Sequence, residues 1–204
     1  MNKNTILLFD LGGVLIELGG QPLRNEWLTT DDSADESWNK WLTSDVARDF
    51  ETGRISAADF SRRIVTEMQL LISPEAFLEH FTRWPVGLYP GVLELLNRLQ
   101  QNYTLALFSN SNELHWPRKM GEMQLQGKFQ HYFASHRMGL AKPDAAAFNT
   151  VISTLQVPAE TVFFMDDNQL NIDAARGAGM MAELTKGFEQ VIQCLDARGF
   201  LNDV

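Results

Sequence analysis

Short apolar runs alternate along this chain with stretches in which apolar residues recur at helical spacing. Such runs, each short enough to be a buried strand, occupy residues 5–9, 104–109, 131–135, 161–165 and 180–184. Helical stripes lie between them, as in Val92–Leu99 and Phe148–Leu155. Strands that alternate with helices predict an α/β fold in which a parallel, Rossmann-like sheet is covered by helices on both faces.

One stretch breaks the alternation, because no convincing strand lies between the first strand and residue 90. Apolar residues from Phe60 to Leu71 recur at helical spacing after Ser56, a suitable N-cap, and Pro74 occupies a favoured first position of another helix. This pattern predicts an α-helical insertion directly after strand one. The predicted division is a core domain of residues 1–16 and 88–204 and a helical domain of residues 17–87.

Charge and composition limit the classes of partner. The 204 residues carry a formal net charge of -9, which argues against binding to nucleic acid or to an anionic membrane. Thr5–Phe9 is too short for a signal-peptide core, and no apolar run approaches the ~20 residues of a membrane span. The single cysteine, Cys194, permits no intrachain disulfide. We therefore expect a soluble, cytoplasmic protein, either a monomer or a homodimer.

Polar residues follow the predicted strands at the points where ligands bind in open parallel sheets. Asp10 follows the first strand, and Ser109 and Asn110 end the second. Lys142 follows the third, and the pair Asp166 and Asp167 ends the fourth. The topology predicts that carboxylates, a hydroxyl and an ammonium group meet at one edge of the sheet.

These residue types suit group transfer. Asp10 precedes two glycines, so a substrate can approach the backbone closely while the carboxylate attacks phosphorus or carbon. Asp166 and Asp167 are hard oxygen ligands of the kind that Mg²⁺ prefers, although an aspartate pair can also cap the following helix. Lys142 can balance the charge of a phosphate, whereas a lone surface lysine is the ordinary alternative.

Taken in order, these residues resemble the four motifs of the haloacid dehalogenase (HAD) superfamily. Four segments of this chain carry the resemblance. They are FDLGGVL at Phe9–Leu15, LFSNSN with Ser109, GLAKP with Lys142, and FFMDDNQLN with Asp166 and Asp167. The helical insertion resembles the family's C1 cap, which closes over the active site. The segments FETGRIS at Phe50–Ser56 and YPGV at Tyr89–Val92 are similar to members of subfamily IA.

The resemblance implies a phosphatase that forms an aspartyl-phosphate on Asp10. It implies Mg²⁺ bound by Asp10, the backbone carbonyl of Gly12 and Asp167, with Asp166 acting through water or behind these ligands. Ser109, Asn110 and Lys142 would hold the phosphate. The substrate class implied is a small phosphorylated metabolite.

The segment SNSNELHWP at Ser109–Pro117 is further similar to bacterial α-glucose-1-phosphate phosphatases, which indicates a sugar phosphate. On this hypothesis His115 and Trp116 line the entrance for the substrate. The tryptophans of the insertion are expected to pack in its core or against the core domain; they are Trp27, Trp38, Trp41 and Trp84.

The sequence departs from the family at Gly12, where most phosphatases of this family carry a second aspartate that protonates the leaving group. Either His115 or a residue of the cap supplies the proton, or the substrate has a good leaving group, or the protein is a weak enzyme or a non-catalytic binding protein. A 2-haloacid dehalogenase also lacks this aspartate and remains an alternative, although it needs no Mg²⁺.

Overall fold

The computed structural model describes residues 5–29 and 33–202. The parts of the predicted domains at residues 1–4, 30–32 and 203–204 lie outside this range. The strands are β1 (Ile6–Phe9), β2 (Ile16–Leu18), β3 (Pro85–Leu88), β4 (Thr104–Ser109), β5 (His131–Ala134), β6 (Val162–Asp166) and β7 (Met181–Leu184). The α-helices are α1 (Ala34–Leu42), α2 (Asp45–Glu51), α3 (Ala57–Glu67), α4 (Pro74–Thr82), α5 (Val92–Leu99), α6 (His115–Met120), α7 (Ser135–Met138), α8 (Ala145–Leu155), α9 (Gln169–Gly177) and α10 (Phe188–Ala197). Short 3₁₀ helices occupy Asn25–Trp27 and Ala159–Thr161.

A five-stranded parallel sheet forms the centre of the molecule, in the order β5-β4-β1-β6-β7. The predicted α/β fold is confirmed. Strand β1 lies in the middle, and Phe9 is in register with Leu107 of β4 and Met165 of β6. The residues that follow these three strands therefore emerge side by side at one edge of the sheet.

Both faces of the sheet are buried, which explains why the strands are continuously apolar. Successive residues of β1 point to opposite faces. Leu7 and Phe9 pack in a cluster with residues of α5 and α10, whereas Leu8 packs with residues of α8 and α9. The resulting three layers hold the carboxyl ends of β1, β4 and β6 in fixed relative positions.

The insertion has an apolar cluster of its own, built largely from aromatic rings of α2, α3 and α4. Phe50 of α2 stacks on Phe60 of α3 with 4.2 Å between ring centroids, and Phe81 of α4 contacts both rings. The helices α1, α2, α3 and α4 each begin after a serine whose hydroxyl accepts a backbone N–H. These N-caps are Ser33, Ser44, Ser56 and Ser73. The predicted helices after Ser56 and at Pro74 are present.

The prediction that no strand lies between the first strand and residue 90 is wrong. Strands β2 and β3 pair in an antiparallel two-stranded sheet, with Ile16 opposite Leu88. Both strands are short, and β3 begins with Pro85, which cannot donate to the ladder. Since the pair joins the two points at which the chain enters and leaves the insertion, it fixes the helices over the carboxyl edge of the large sheet.

The longest helices among the described residues, α3 and α8, have 11 residues each. A membrane span needs about 20 residues. In the part of the chain that the structure describes, no helix is long and apolar enough to cross a bilayer.

Candidate active site

A cavity of about 310 Å³ lies between the carboxyl edge of the sheet and the helical insertion. Asp10, Ser109 and Asp167 reach it from the ends of β1, β4 and β6, and Lys142 reaches it from the loop before α8. The insertion and the helix after β4 supply the rest of its walls, which include Trp38, Trp41, Trp84, Arg48, Glu51, His115 and Lys119. The structure therefore brings polar groups from all four predicted motifs together beneath one opening.

Asp10, Lys142 and Asp166 form a buried ionic triad at the base of this cavity. The Lys142 ammonium group donates to Asp10 Oδ1 and to Asp166 Oδ2, each at 2.6 Å. Burial opposes the charge on Lys142, but the two carboxylates together raise its pKa well above the ordinary value. Burial raises the pKa of Asp10, and Lys142 partly opposes that rise. Lys142 thus stays charged and fixes the orientation of the Asp10 carboxylate.

The second oxygen of Asp166 is also occupied by hydrogen bonds. Asp166 Oδ1 accepts the Asn168 N–H at 2.8 Å and the Asn171 amide at 2.9 Å, and the residue is fully buried. With both oxygens bonded to protein groups, Asp166 positions Lys142.

Asp167 lies directly against the loop that follows Asp10. A Cβ atom built on Gly13 would come within 2.3 Å of Asp167 Oδ2, and Gly13 has a φ of +69. Burial, followed by the charges of Asp10 and Asp166, raises the pKa of Asp167. Glycine at position 13 therefore lets the backbone of the loop and the Asp167 carboxylate approach each other closely.

The donor set at this point fits Mg²⁺. Asp10 and Asp167 are hard oxygen ligands whose mutual repulsion a divalent cation would relieve. Among residues 5–29 and 33–202, no group of three His, Cys, Asp or Glu side chains is arranged to hold a metal ion. A cation here would complete its shell with the Gly12 carbonyl, water and substrate oxygens, as Mg²⁺ commonly does.

Ser109 and Asn110 have different surroundings. Ser109 is buried, and its hydroxyl lies 3.5 Å from the ammonium group of Lys119. The Asn110 side chain donates to the Lys142 carbonyl at 3.0 Å and accepts the Lys142 N–H at 2.9 Å. Asn110 lines the cavity while its side-chain amide fixes the main chain of Lys142, and its contact with phosphate stays a prediction.

His115 lines the cavity, but both of its ring nitrogens are engaged. Nε2 donates to the Phe81 carbonyl at 2.6 Å, and Nδ1 accepts from the Asn112 amide at 3.1 Å. Burial, with a contribution from Lys119, lowers the pKa of His115 to about 3. The hypothesis that His115 supplies a proton is corrected, because the ring is neutral and joins α6 to α4 of the insertion.

Trp116 lies outside the lining of the cavity, which corrects the expectation that it meets the substrate. It is 5% exposed and packs with the apolar residues on one face of the sheet. Its ring contacts Tyr132 and His136, and the Arg137 guanidinium lies 4.9 Å from the ring centroid. The residue belongs to the core because α6 turns this side of the helix toward β5.

The aromatic wall of the cavity comes instead from the insertion. Trp41 is buried in its core as expected, yet Trp38, Trp41 and Trp84 all line the cavity. Trp84 packs against Trp38 and Trp41 with ring centroids 6.4 and 6.3 Å apart. The three tryptophans therefore pack within the insertion and also form part of the cavity wall.

Lys119 and Glu51 are charged residues of the cavity that were not predicted from the sequence. Lys119 is 4% exposed and donates to Ser111 Oγ at 3.1 Å, and burial lowers its pKa to about 8. Glu51 is the last residue of α2 and lines the same cavity. The available signals were the spacing of four residues between His115 and Lys119, which places them on one helix face, and the position of Glu51 within FETGRIS.

The chain is similar in sequence to a known protein family and to several of its members. The sequence pattern of the family described as haloacid dehalogenase-like hydrolase matches residues 67–183, more than half of the chain. Over 93 residues the chain is 34% identical to phosphoglycolate phosphatase of Pseudomonas savastanoi pv. phaseolicola, covering 45% of this chain and 34% of that one. Over 97 residues it is 37% identical to enolase-phosphatase E1 of Erwinia tasmaniensis, covering 45% and 41%. The chain thus matches about a third of the length of the first relative and about two-fifths of the length of the second.

The fold resembles that of a solved structure over nearly its whole length. A HAD family enzyme of Bacteroides thetaiotaomicron, crystallised with magnesium and inorganic phosphate, superimposes with a TM-score of 0.73. The two sequences are 25% identical, and the match covers 90% of this chain and 94% of the other.

Proposed function

This chain belongs to the haloacid dehalogenase-like hydrolase family, and we propose that it is a Mg²⁺-dependent phosphatase of a small phosphorylated metabolite. One observation carries the proposal: Asp10 lies at the base of the cavity, bound to Lys142 at 2.6 Å and next to the Asp167 carboxylate. A carboxylate nucleophile, a fixed cation and a second carboxylate for metal are the groups that transfer of a phosphoryl group requires.

Asp10 would attack the phosphorus atom of the substrate, and the bond from phosphorus to the leaving oxygen would break. Lys142 holds Asp10 Oδ1 and is itself held by Asp166, so the nucleophile needs little reorganisation before attack. Ser109 and Lys119 lie beside it and can donate to the phosphoryl oxygens. Water would then attack phosphorus in the aspartyl-phosphate and regenerate the Asp10 carboxylate.

Asp10, Asp167 and the Gly12 carbonyl would hold Mg²⁺. When bound, the ion would neutralise charge on the transferring phosphoryl group. Asp166 would act from behind these ligands through its bond to Lys142.

The helical domain of residues 17–87 is proposed to serve as the cap that sets substrate choice. Its helices supply Trp38 and Trp41 of the aromatic wall and close the cavity above Asp10. An aromatic wall suits the apolar face of a sugar ring, so a sugar phosphate such as glucose 1-phosphate stays the predicted substrate class. A cavity of about 310 Å³ suits a small phosphate ester.

A panel of phosphorylated metabolites with a phosphate-release readout tests this function. We expect turnover of at least one small phosphate ester in the presence of Mg²⁺, loss of turnover with a chelator, and loss in Asp10→Asn. Release of chloride from 2-chloropropionate in the presence of chelator would establish the dehalogenase alternative instead. Failure to release phosphate from every ester, including p-nitrophenyl phosphate, would favour a non-catalytic binding protein.

A further inference from the structure

The proposed reaction needs a proton for the leaving oxygen, and the usual source is absent. Gly12 has no side chain at the position where related phosphatases carry the acid. His115 cannot take over this role, because its two ring nitrogens are bonded to Phe81 and Asn112. Asp10 and Asp167 already serve as nucleophile and metal ligand. The donor must come from another wall of the cavity.

Glu51 occupies such a wall. It lies at the carboxyl end of α2 and lines the cavity together with Asp10 and Lys142. Its carbonyl accepts the Ser135 hydroxyl at 2.5 Å, and Ser135 is fully buried at the start of α7. This bond anchors the end of α2 to the core domain and so holds the main chain of Glu51 beside the cavity.

The charged groups around Glu51 come from several elements. Arg48 lies on the same helix, Lys119 on α6, Lys142 in the loop before α8, and Asp10 and Asp167 at the ends of β1 and β6. Arg48 is also paired with Asp144, which keeps its guanidinium group at the junction of α2 with α8. Burial raises the pKa of Glu51 to about 7, and the neighbouring cations oppose part of this rise. A carboxyl group in this range holds its proton near neutral pH and can also release it.

We propose that Glu51 is the general acid and base of this site, in place of the side chain missing at position 12. The inference rests on the proposed phosphatase function. In the first step Asp10 forms a bond to phosphorus, the bond to the leaving oxygen breaks, and the Glu51 carboxyl proton moves to that oxygen. In the second step water bonds to phosphorus, its proton moves to the Glu51 carboxylate, and the bond between phosphorus and Asp10 breaks. The enzyme returns to its starting state and releases the alcohol and inorganic phosphate.

Lys119 is the competing donor, since it is buried in the same cavity. Its ammonium group is held at the floor by Ser109 and Ser111, at 3.5 and 3.1 Å from their hydroxyl oxygens. That position suits contact with the phosphoryl oxygens. We therefore expect Lys119→Met to weaken turnover of all phosphate esters alike.

The leaving-group dependence of Glu51→Gln tests the proposal. An alkyl phosphate needs a proton on its leaving oxygen, whereas 2,4-dinitrophenolate leaves without one. We expect kcat/KM of E51Q to fall by about 10²–10⁴-fold for an alkyl phosphate and by less than about tenfold for 2,4-dinitrophenyl phosphate. The matched control is Glu113→Gln. The Glu113 carboxylate accepts the Ala57 N–H and so joins the core to the insertion, but Glu113 does not line the cavity. E113Q should leave both rates near wild type.

The pH profile gives a second, independent measurement. Wild-type turnover of the alkyl phosphate should fall on the alkaline side as Glu51 loses its proton, and E51Q should lack that limb. Equal losses for the two esters in E51Q, or an unchanged alkaline limb, would overturn the assignment. If Lys119→Met instead lost only the turnover of the alkyl phosphate, Lys119 and not Glu51 would be the general acid. Wild-type protein that releases no phosphate from either ester overturns the proposed function itself, whereas an active wild type with unaltered E51Q overturns only this inference.

Discussion

At the residue scale, the charge of Lys142 accounts for how two aspartates are buried at the sheet edge. The side chains of Lys142 and Asp166 are 2% and 0% exposed, and that of Asp10 is 10% exposed. Such a pair contributes little net stability compared with apolar residues, but it is costly to break. We therefore propose that the triad serves to orient the Asp10 carboxylate and not to stabilise the fold.

Lys142→Met should destabilise the protein strongly, because it removes the cation and leaves Asp10 and Asp166 buried without it. We expect the free energy of unfolding to fall by about 3–5 kcal/mol in urea denaturation near neutral pH. Lys186→Met is the control, since Lys186 is exposed and should change stability by no more than about 0.5 kcal/mol. Equal stability of the two variants would show that the triad is not a buried ion pair in solution.

The two glycines after Asp10 should respond differently to alanine. Gly13→Ala places a methyl group within 2.3 Å of Asp167 Oδ2 at a φ of +69, so it should cost at least about 1–2 kcal/mol and displace Asp167. Gly12→Ala meets only Leu18 at 3.5 Å, an ordinary contact, and should change stability by less than about 1 kcal/mol. Thermal unfolding of the two variants compares them directly, and a smaller cost at position 13 than at position 12 would contradict this description of the loop.

At the element scale, the insertion is joined to the core through backbone and side-chain contacts of short elements. Strands β2 and β3 connect it at its two ends. Ser135 bridges α2 and the segment after β4, because its hydroxyl donates to the Glu51 carbonyl and accepts the Ser111 N–H at 2.9 Å. These junctions hold the insertion in place over the cavity.

Ser135→Ala should loosen this junction. The change leaves the buried Ser111 N–H without its partner and frees the end of α2, at a cost of about 1–3 kcal/mol in the free energy of unfolding. Ser153→Ala provides a matched control, because Ser153 is exposed on α8 and its hydroxyl bonds only to its own helix at Thr150. Similar denaturation midpoints for S135A and wild type would argue against the bridge.

At the scale of the whole molecule, the parallel sheet was predictable because burial on both faces requires continuous apolar runs. The same topology predicted that Asp10, Ser109 and Asp167 lie near one another, since each follows a strand of the same sheet. Strands β2 and β3 were missed for two reasons. They have only three and four residues, too few for a recognisable alternation of apolar side chains, and they pair across the whole length of the insertion.

The walls of the cavity were less predictable than its floor. Glu51 and Lys119 reach the cavity through the packing of α2 and α6, and no periodicity in the sequence reports how two helices are placed across a sheet edge. For the same reason Trp116 could be assigned to the entrance although it packs against Tyr132 and His136. Whether each of these side chains faces the cavity depends on the orientation of its helix, which tertiary contacts set.

The proposed function requires Asp10 to be the phosphoryl acceptor. Reduction with borohydride during turnover, followed by peptide mass spectrometry, tests it most directly, because an aspartyl-phosphate is reduced to homoserine whereas a free carboxylate is not. We predict homoserine at position 10 when Mg²⁺ and a turned-over phosphate ester are present, and unmodified aspartate when a chelator is added. An unmodified Asp10 in the actively turning-over enzyme, or homoserine at Asp166 or Asp167 instead, would contradict the account.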